Sequence, residues 1–282
     1  MVYVTKATGE KEAFSEDKVR HSIARAGIEP QLENQVLTHV LTKLYDGIPT
    51  SELYKHITEF LGNSPQPYHR ARYSLKQSIM ELGPTGYPFE DFLAEVLKAN
   101  GYKTLVRQTL SGKCITHEVD VVAQKNAHRV MIEAKFHNMP GIKTNVHVAL
   151  YTKARFDDVL ERNNLNQAWL FTNTKMTSDV IGYCVCMGMK VTSWNYPDGE
   201  SLRELIERAS LIPITALTTL SLSQKQMLLT DHVVLCKDIC KNPSILAILN
   251  LPEDKHLRVL EEAAFVCQTQ PRHYSDPVSV SY

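Results

Sequence analysis

The sequence predicts a chain of several domains that combines the α+β and α/β fold classes. Three observations support this prediction: a hairpin followed by helices over residues 1–83, alternating helices and strands over 84–197, and mainly helices over 198–267. A chain of 282 residues has room for about two domains, or three small ones. The hydrophobic fraction of 43% is sufficient to form folded cores.

The N-terminal region is expected to form a β-hairpin and four helices. The segment VYVT predicts a first strand, KATGEK a turn and EAF a second strand. Ser15 is the expected N-cap of the first helix, and Gly27 its C-terminal stop. Three further helices are expected at about 31–45, after an N-cap at Thr50 or Ser51, and at about 67–82. The Gly/Pro-rich segment 83–88 predicts a domain boundary.

The middle region alternates between helices and strands. It starts with the helix FEDFLAEVLKANG, and three strands follow in YKTLVRQTLSG, CITHEVDVVAQKN and AHRVMIEAKFH, with the last turn at Asn126. The remaining elements are a helix at about 145–161, a strand at 167–173, a helix capped by Thr177 or Ser178, and a strand in KVTSWNY. This order predicts an α/β mixed sheet with helices on both faces.

Two adjacent strands of this region carry charged residues that need an explanation. Asp120 projects to the face opposite its apolar neighbours, and Glu133 and Lys135 share one face of the next strand. Pairing of the strands would bring Asp120 next to Glu133, where two carboxylates can bind Mg²⁺ with several waters retained. Lys135 would then stabilise charge or position the attacking water, with Glu90 as a third carboxylate. The alternative is a solvated face with a cross-strand ion pair.

Residues 84–196 resemble the PD-(D/E)xK nuclease superfamily, most closely its Mrr-like restriction endonuclease branch. The helix glutamate of that family corresponds to Glu90, its metal-binding aspartate to Asp120, and its E-x-K motif to Glu133 and Lys135 with Ala134 between them. The resemblance implies a restriction-endonuclease-like fold, a Mg²⁺ or Mn²⁺ cofactor bound by Glu90, Asp120 and Glu133, and hydrolysis of phosphodiester bonds in DNA.

The sequence departs from the family pattern in two places. Val119 stands where a proline gives the superfamily its name, and His147 and Tyr151 have the spacing of the Gln-xxx-Tyr pair found in many Mrr-like members. The side chains that could reach a phosphate or the DNA around the site are His137, Asn138, His147, Tyr151 and Arg155. For Arg155 an intrahelical ion pair with Asp158 is an equally open interpretation.

Residues 2–85 resemble the ATP-cone domain, which binds ATP or dATP in ribonucleotide reductases and related proteins. The motif of that family corresponds to Val4, Lys6, Gly9, Lys18 and the segment from Tyr45 to Thr50. The lysines offer ammonium groups to phosphates, and the start of the first helix offers free N–H groups. Ala7 replaces the arginine that usually follows the first lysine. The alternative is a small helical domain whose lysines are merely solvated.

The C-terminal helices faintly resemble a helix-hairpin-helix unit that grips the DNA backbone. The turn LNLPEDKH lacks the usual glycine, and the available cations are Lys237, Lys241, Lys255 and Arg258. A domain used for packing or dimerisation is an equally open interpretation. The tail 268–282 is polar and contains proline, so we expect it to be disordered.

Bulk composition narrows the class of protein. The formal net charge is zero, so a nucleic-acid partner would have to bind through local patches. The N-terminus is polar by residue 5 and no apolar stretch approaches the roughly 20 residues of a membrane span, so we expect a cytoplasmic protein without membrane contact. In that reducing setting the six cysteines are expected to be free, buried thiols rather than metal ligands.

Together these patterns predict a metal-dependent DNA endonuclease that is regulated by ATP or dATP and serves in defence or DNA repair. A homodimer or higher homo-oligomer is implied by the resemblance, because one nuclease site cuts one strand. The rival hypothesis is a non-catalytic nucleotide-sensing DNA-binding regulator that keeps the nuclease fold as a scaffold. A fragment of a ribonucleotide reductase is disfavoured, because no segment is long enough for its catalytic barrel.

Overall fold

A computed structural model describes residues 2–268, which divide into two compact units. One unit comprises the described parts of residues 1–75, 216–220 and 239–282, and the other comprises 76–215 and 221–238. Residues 198–267, expected as one helical domain, thus contribute to both units. The predicted disordered tail lies outside the described residues, apart from Gln268 at the end of the last helix.

Ten strands and twelve α-helices make up the described chain. The strands are β1 (Tyr3–Thr5), β2 (Lys11–Ala13), β3 (Ile48–Pro49), β4 (Lys103–Ser111), β5 (Thr116–Lys125), β6 (His128–Lys135), β7 (Lys143–Thr144), β8 (Gln167–Thr172), β9 (Lys175–Met176) and β10 (Lys190–Thr192). The α-helices are α1 (Glu16–Arg25), α2 (Pro30–Thr42), α3 (Thr50–Gly62), α4 (His69–Tyr73), α5 (Leu75–Met80), α6 (Tyr87–Ala99), α7 (Val146–Val159), α8 (Ser178–Cys186), α9 (Leu202–Arg208), α10 (Leu222–Thr230), α11 (Cys236–Lys241) and α12 (Glu253–Gln268). Two 3₁₀ segments cover Ile214–Ala216 and Pro243–Leu249.

The N-terminal hairpin forms as predicted and gains a third strand. β1 pairs antiparallel with β2 and parallel with β3, in the order β2-β1-β3. The two residues of β3 were not predicted as a strand, because a strand that short has no readable alternation. Val4 and Ile48 are paired across the sheet, and both lie in the apolar core beneath it.

The helix boundaries of this unit are partly as expected. The Ser15 hydroxyl accepts a hydrogen bond from the Lys18 N–H, which confirms the predicted N-cap of α1. The N-cap of α3 is Pro49 rather than Thr50 or Ser51, so that prediction was wrong. The single helix expected at 67–82 is two helices, α4 and α5, with a break at Ser74. The Ser74 hydroxyl donates to the Arg70 carbonyl, and this local bond competes with regular helix geometry.

The larger unit is built on a mixed five-stranded sheet in the order β10-β8-β6-β5-β4, which confirms the predicted α/β sheet. β4, β5 and β6 pair antiparallel, whereas β6, β8 and β10 pair parallel. Asn126 forms the tight turn between β5 and β6 with φ of 54°, a left-handed conformation that asparagine tolerates well.

Apolar side chains cover both faces of this sheet. Ala168 and Leu170 of β8 pack in a cluster with side chains of α7 and α8, including Ala149 and Val180. The alternate residues Trp169 and Phe171 point to the other face, where their rings lie 4.4 Å apart. α6 packs against β4, β5 and β6. Burial on both faces explains why the central strands read as continuous apolar runs.

The C-terminal helices are shorter than the sequence suggests. In the region predicted to be mainly helical, the apolar run at 221–241 forms two helices, because α10 ends at Thr230 and α11 begins at Cys236. His232 adopts a left-handed φ of 58°, and Leu235 forms an isolated β-bridge with Pro213, so the helix does not continue between them. Elsewhere in this region, the fully buried Glu262 accepts hydrogen bonds from the backbone and hydroxyl groups of Thr218 and Thr219.

The expectation that all cysteines are free thiols was wrong. Cys240 and Cys267 form a disulfide that closes a 27-residue separation, which no sequence spacing indicated. The free cysteines of the described chain are Cys114, Cys184, Cys186 and Cys236. Within residues 2–268, no helix combines the length and apolarity that a membrane crossing requires.

Candidate active site

The carboxylate of Asp120 lies where the pairing of β5 with β6 ends. The last paired residues are Val121 and Ile132, so the backbone N–H of Ala134 has no strand partner on that side. The Oδ2 atom of Asp120 accepts a hydrogen bond from that N–H at 2.7 Å. This bond holds Asp120 beside Glu133, the residue that precedes Ala134, and leaves the second carboxylate oxygen available to a ligand.

Glu133 is bound by an arginine from the neighbouring helix. The Nη1 atom of Arg155 in α7 lies 2.5 Å from Glu133 Oε2, and both side chains are largely buried. The guanidinium also lies 5.1 Å from the ring centre of Tyr151, one helical turn earlier. The intrahelical partner considered for Arg155, Asp158, instead accepts hydrogen bonds from the N–H groups of Cys114 and Ile115.

Glu90 enters the same region from α6. It is 7% exposed and pairs with Arg107, whose Nη1 lies 3.4 Å from Glu90 Oε2 and whose Nη2 lies 2.7 Å from Asp91. Arg107 has a φ of 48°, and this conformation interrupts the β4–β5 ladder opposite Asp120. Sequence reasoning missed Arg107, because neither its left-handed backbone nor an ion pair 17 residues away leaves a local signal.

The electrostatics of this group favour a bound proton or cation. Desolvation, followed by the negative charge of Asp120, raises the pKa of Glu90 to about 7. The same two causes, in the same order, raise the pKa of Glu133 to about 7, although Arg155 and Lys135 oppose the shift. Burial also raises the pKa of Asp120, against the Ala134 hydrogen bond and the charge of Arg155. Asp120 therefore lies close enough to Glu90 and to Glu133 to destabilise the charged forms of both.

The donor set is chemically suited to a hard divalent cation. In the described residues no three His, Cys, Asp or Glu side chains are already arranged as a metal site. However, Asp120 and Glu133 each use one oxygen in a protein hydrogen bond and keep the other, and Mg²⁺ commonly uses one or two carboxylates with several waters. Glu90 lies within the electrostatic reach of Asp120 and is held by Arg107. The residues thus fit a cation held mainly by Asp120 and Glu133.

The remaining predicted residues of this region have varied positions. Lys135 ends β6 and is exposed. His137 Nε2 lies 3.0 Å from the Thr144 hydroxyl, and its backbone exchanges two hydrogen bonds with the Asn173 side chain. Asn138 is exposed in the following segment, and His147 lies in the first turn of α7. Among the predicted residues around the carboxylates, Lys135 and Arg155 lower the pKa values of Asp120 and Glu133 through their positive charge.

The candidate nucleotide site brings two predicted lysines together on one acid. The Nζ atom of Lys6 lies 2.6 Å from Glu12, and Lys18 forms an ion pair with the same carboxylate. Lys6 also contacts Glu10 at 3.3 Å. Glu12 was missed because its role depends on the hairpin bringing β2 beside the start of α1.

The other predicted nucleotide contacts lie nearby in the fold but play different parts. Val4 is buried in the core of the unit, so its side chain supports the sheet. Gly9 forms the hairpin turn with φ of 83°, which suits glycine. Thr50 is the first residue of α3.

Comparisons with known proteins agree with this architecture. Residues 2–79 match the ATP cone domain model, residues 83–206 a restriction endonuclease model, and residues 212–267 the model of the AF1548-like C-terminal domain. A protein from Archaeoglobus fulgidus described as uncharacterized is 39% identical over 147 residues, which cover 52% of this chain and 83% of that protein.

Solved structures give a similar result. The crystal structure of AF1548, a protein of unknown function, is 35% identical, covers 65% of this chain and 98% of its own, and has a TM-score of 0.58. A repair endonuclease from Pyrococcus abyssi is 16% identical over 39% of this chain and 46% of its own, with a TM-score of 0.31. The chain belongs to the family of the Archaeoglobus fulgidus protein, and it joins an ATP cone domain, a restriction endonuclease domain and an AF1548-like C-terminal domain.

Proposed function

We propose that this protein is a metal-dependent DNA endonuclease whose activity is regulated by ATP or dATP bound to its N-terminal domain. The observation that carries the proposal is the convergence of Glu90, Asp120 and Glu133, whose pKa values are raised by burial and, for Glu90 and Glu133, also by the charge of Asp120. A restriction endonuclease domain supports a phosphodiester substrate. The proposed setting is the cytoplasm, in defence or DNA repair.

Each side chain has a distinct part in the proposed reaction. Asp120 and Glu133 bind Mg²⁺ or Mn²⁺ through their available oxygens, while Ala134 and Arg155 orient the two carboxylates. The ion supplies Lewis-acid polarisation of the phosphoryl oxygen and lowers the pKa of a bound water. Lys135 donates to the phosphate and stabilises the charge that develops on its oxygens.

Glu90 is the proposed proton carrier. Its pKa of about 7 allows it both to accept and to release a proton near neutral pH. Arg107 holds its carboxylate through an ion pair. This assignment differs from metal binding by all three acids.

The nucleotide-binding part of the proposal rests on Lys6 and Lys18. Both lysines are held on Glu12, and phosphate groups would replace that carboxylate as their counter-ion. Val4, Gly9 and Thr50 shape the surrounding hairpin and helix start. We also propose a homodimer for double-strand cleavage, because one such site cuts one strand.

The experiment that tests the proposal is plasmid cleavage with Mg²⁺ or Mn²⁺, with and without ATP and dATP. Asp120→Asn and Lys135→Met should each reduce the cleavage rate by at least about 100-fold, the scale at which loss of a charge-stabilising group acts. Asp157→Asn is the matched control, since Asp157 is an exposed acid on α7 paired with Lys153. Equal cleavage by wild type and by both site variants would favour the rival, a non-catalytic DNA-binding regulator.

A further inference from the structure

Two lysines face each other where β7 pairs with β9, and neither forms an ion pair with an acid among residues 2–268. Lys143 and Lys175 are partners in the parallel register of these short strands, and both are exposed. Like charges at paired strand positions are destabilising. The lysine ion pairs in residues 2–268 involve other lysines. A pair of uncompensated cations is therefore kept at a cost in stability.

These lysines lie in a separate two-stranded sheet, in the segments that follow β6 and β8 of the sheet that carries the candidate active site. Lys135 at the end of β6 is the strand partner of Thr172 at the end of β8, and Lys175 follows three residues later. The Asn173 side chain bonds to both the N–H and the carbonyl of His137, which ties together the segments that leave the two strands. The paired lysines thus follow Lys135 and Thr172 along the chain, in two segments that are hydrogen-bonded to each other.

A third cation lies close to this pair. The ammonium group of Lys76 is 5.7 Å from the ring centre of Trp194. Desolvation and, secondly, the positive charge of Lys175 lower the pKa of Lys76. Positive charges that repel one another at an exposed edge indicate a polyanionic partner.

Exposed apolar side chains flank the same edge. The segment between β6 and β7 carries Met139 and Ile142, whose exposed fractions are 60% and 40%. Ile142 directly precedes Lys143. Cations beside exposed apolar side chains match the two chemistries of DNA, whose phosphates are anionic and whose bases and sugars present apolar surface.

We propose that Lys143, Lys175, Met139 and Ile142, here called the lysine edge, form the surface that binds DNA next to the scissile phosphate. The two lysines bind backbone phosphates, and the two apolar side chains contact sugars or base edges in the groove. This inference rests on the proposed nuclease function and assigns the path that the substrate takes from the carboxylates.

The test measures binding of a fluorescently labelled DNA duplex to the Asp120→Asn protein, without divalent metal, over a series of salt concentrations. Adding Lys143→Ala and Lys175→Ala should weaken binding about 10-fold or more at low salt. It should also lower the slope of log affinity against log salt by about 2, one for each phosphate contact. The control pair is Lys103→Ala with Lys113→Ala, exposed lysines on β4 and the turn after it, which should change neither quantity.

The apolar half of the lysine edge has a different signature. Met139→Ser with Ile142→Ser should weaken binding while the salt slope stays unchanged, because no phosphate contact is lost. The unfolding midpoint of the Lys143→Ala and Lys175→Ala protein should equal or exceed that of its parent, since two repelling charges are removed.

The outcomes separate this inference from the proposed function. If the lysine double variant binds with unchanged affinity and slope while wild-type protein cleaves DNA, the lysine edge is overturned and the nuclease stands. If the control pair lowers the slope of log affinity against log salt equally, any exposed lysines contribute to binding regardless of their position, and the inference is also overturned. If the Asp120→Asn parent does not bind DNA and the wild-type protein does not cleave it, both proposals are overturned.

Discussion

The two candidate sites of this protein each hold an internal counter-ion, but in different surroundings. In the N-terminal unit the acid Glu12 neutralises the cations Lys6 and Lys18 near the surface. In the larger unit the cation Arg155 neutralises the acid Glu133 in a largely buried position. Exposed ion pairs contribute little and exchange readily with ligands, whereas breaking a buried pair is costly. The first pair is therefore suited to release on ligand binding, and the second to permanent orientation.

Removal of the buried counter-ion should have the largest effect on stability and tests this comparison most strongly. Arg155→Ala leaves Glu133 next to Asp120 without its guanidinium, and we expect the free energy of unfolding to fall by about 3 kcal/mol at a pH above 7, where Glu133 is ionised. Urea denaturation measures this change, provided that the unfolding free energies of both proteins depend equally steeply on urea concentration. Arg162→Ala, an exposed arginine just after α7, is the control and should change stability by less than about 0.5 kcal/mol.

A double variant distinguishes the pair from simple loss of packing. Glu133→Gln combined with Arg155→Met removes both charges and keeps most of the volume, so it should recover part of the stability lost in Arg155→Ala. If the double variant is as unstable as Arg155→Ala, packing rather than charge explains the effect, and Arg155 is not the counter-ion described here.

The pH dependence of stability gives the next largest expected effect. Glu90 and Glu133 hold their protons more tightly in the folded state, with pKa values of about 7, than in the unfolded chain, where the ordinary value of 4.5 applies. Their contribution to stability is therefore full below about pH 4.5 and is lost as the pH rises towards 7. Metal-free Glu133→Gln protein should show a weaker decline over this window.

Thermal or urea unfolding at several pH values in EDTA checks this slope. Glu161→Gln, an exposed acid in the loop after α7, should retain the wild-type decline. Adding Mg²⁺ at pH 7 should stabilise the wild-type protein more than the Glu133→Gln protein, because the cation replaces the lost protons. A stability that rises between pH 4.5 and 7 in the wild type, with Glu133→Gln unchanged, would contradict the raised pKa values.

Removal of the exposed counter-ion should have the smallest effect on stability. Glu12→Gln should change the free energy of unfolding by less than about 1 kcal/mol, because the pair is solvated. It should nevertheless increase the affinity for ATP or dATP, since Lys6 and Lys18 are freed for phosphates. Calorimetric titration measures this, and Glu10→Gln, which frees only one contact of Lys6, should have a weaker effect. A lower affinity in Glu12→Gln would show that Glu12 orients the lysines instead.

The comparison also explains how far sequence reasoning reaches. The positions of Asp120 and Glu133 followed from strand alternation, which depends only on neighbouring residues. The ion pair of Glu133 with Arg155 spans 22 residues and depends on how α7 packs against the sheet. The sequence offered Asp158 as a helical partner for Arg155, but that acid binds the N–H groups of the turn between β4 and β5.

The N-terminal unit shows the same limit. Lys6 and Lys18 were found through their resemblance to a known motif, and Ser15 through its capping position. Glu12 was missed, although it lies between them in the sequence, because the neighbouring residues do not indicate which charged side chain a hairpin residue will contact. The disulfide of Cys240 with Cys267 was missed for a similar reason, since both residues lie in helical, apolar segments.

The most direct test of the central claim is the binding of Mn²⁺ itself, measured by electron paramagnetic resonance at neutral pH. If Asp120 and Glu133 share one divalent cation, wild-type protein binds one Mn²⁺ per chain, and Asp120→Asn and Glu133→Gln each weaken that binding at least about 10-fold, while Asp157→Asn does not. Equal Mn²⁺ affinity in wild type and in both site variants would contradict the account.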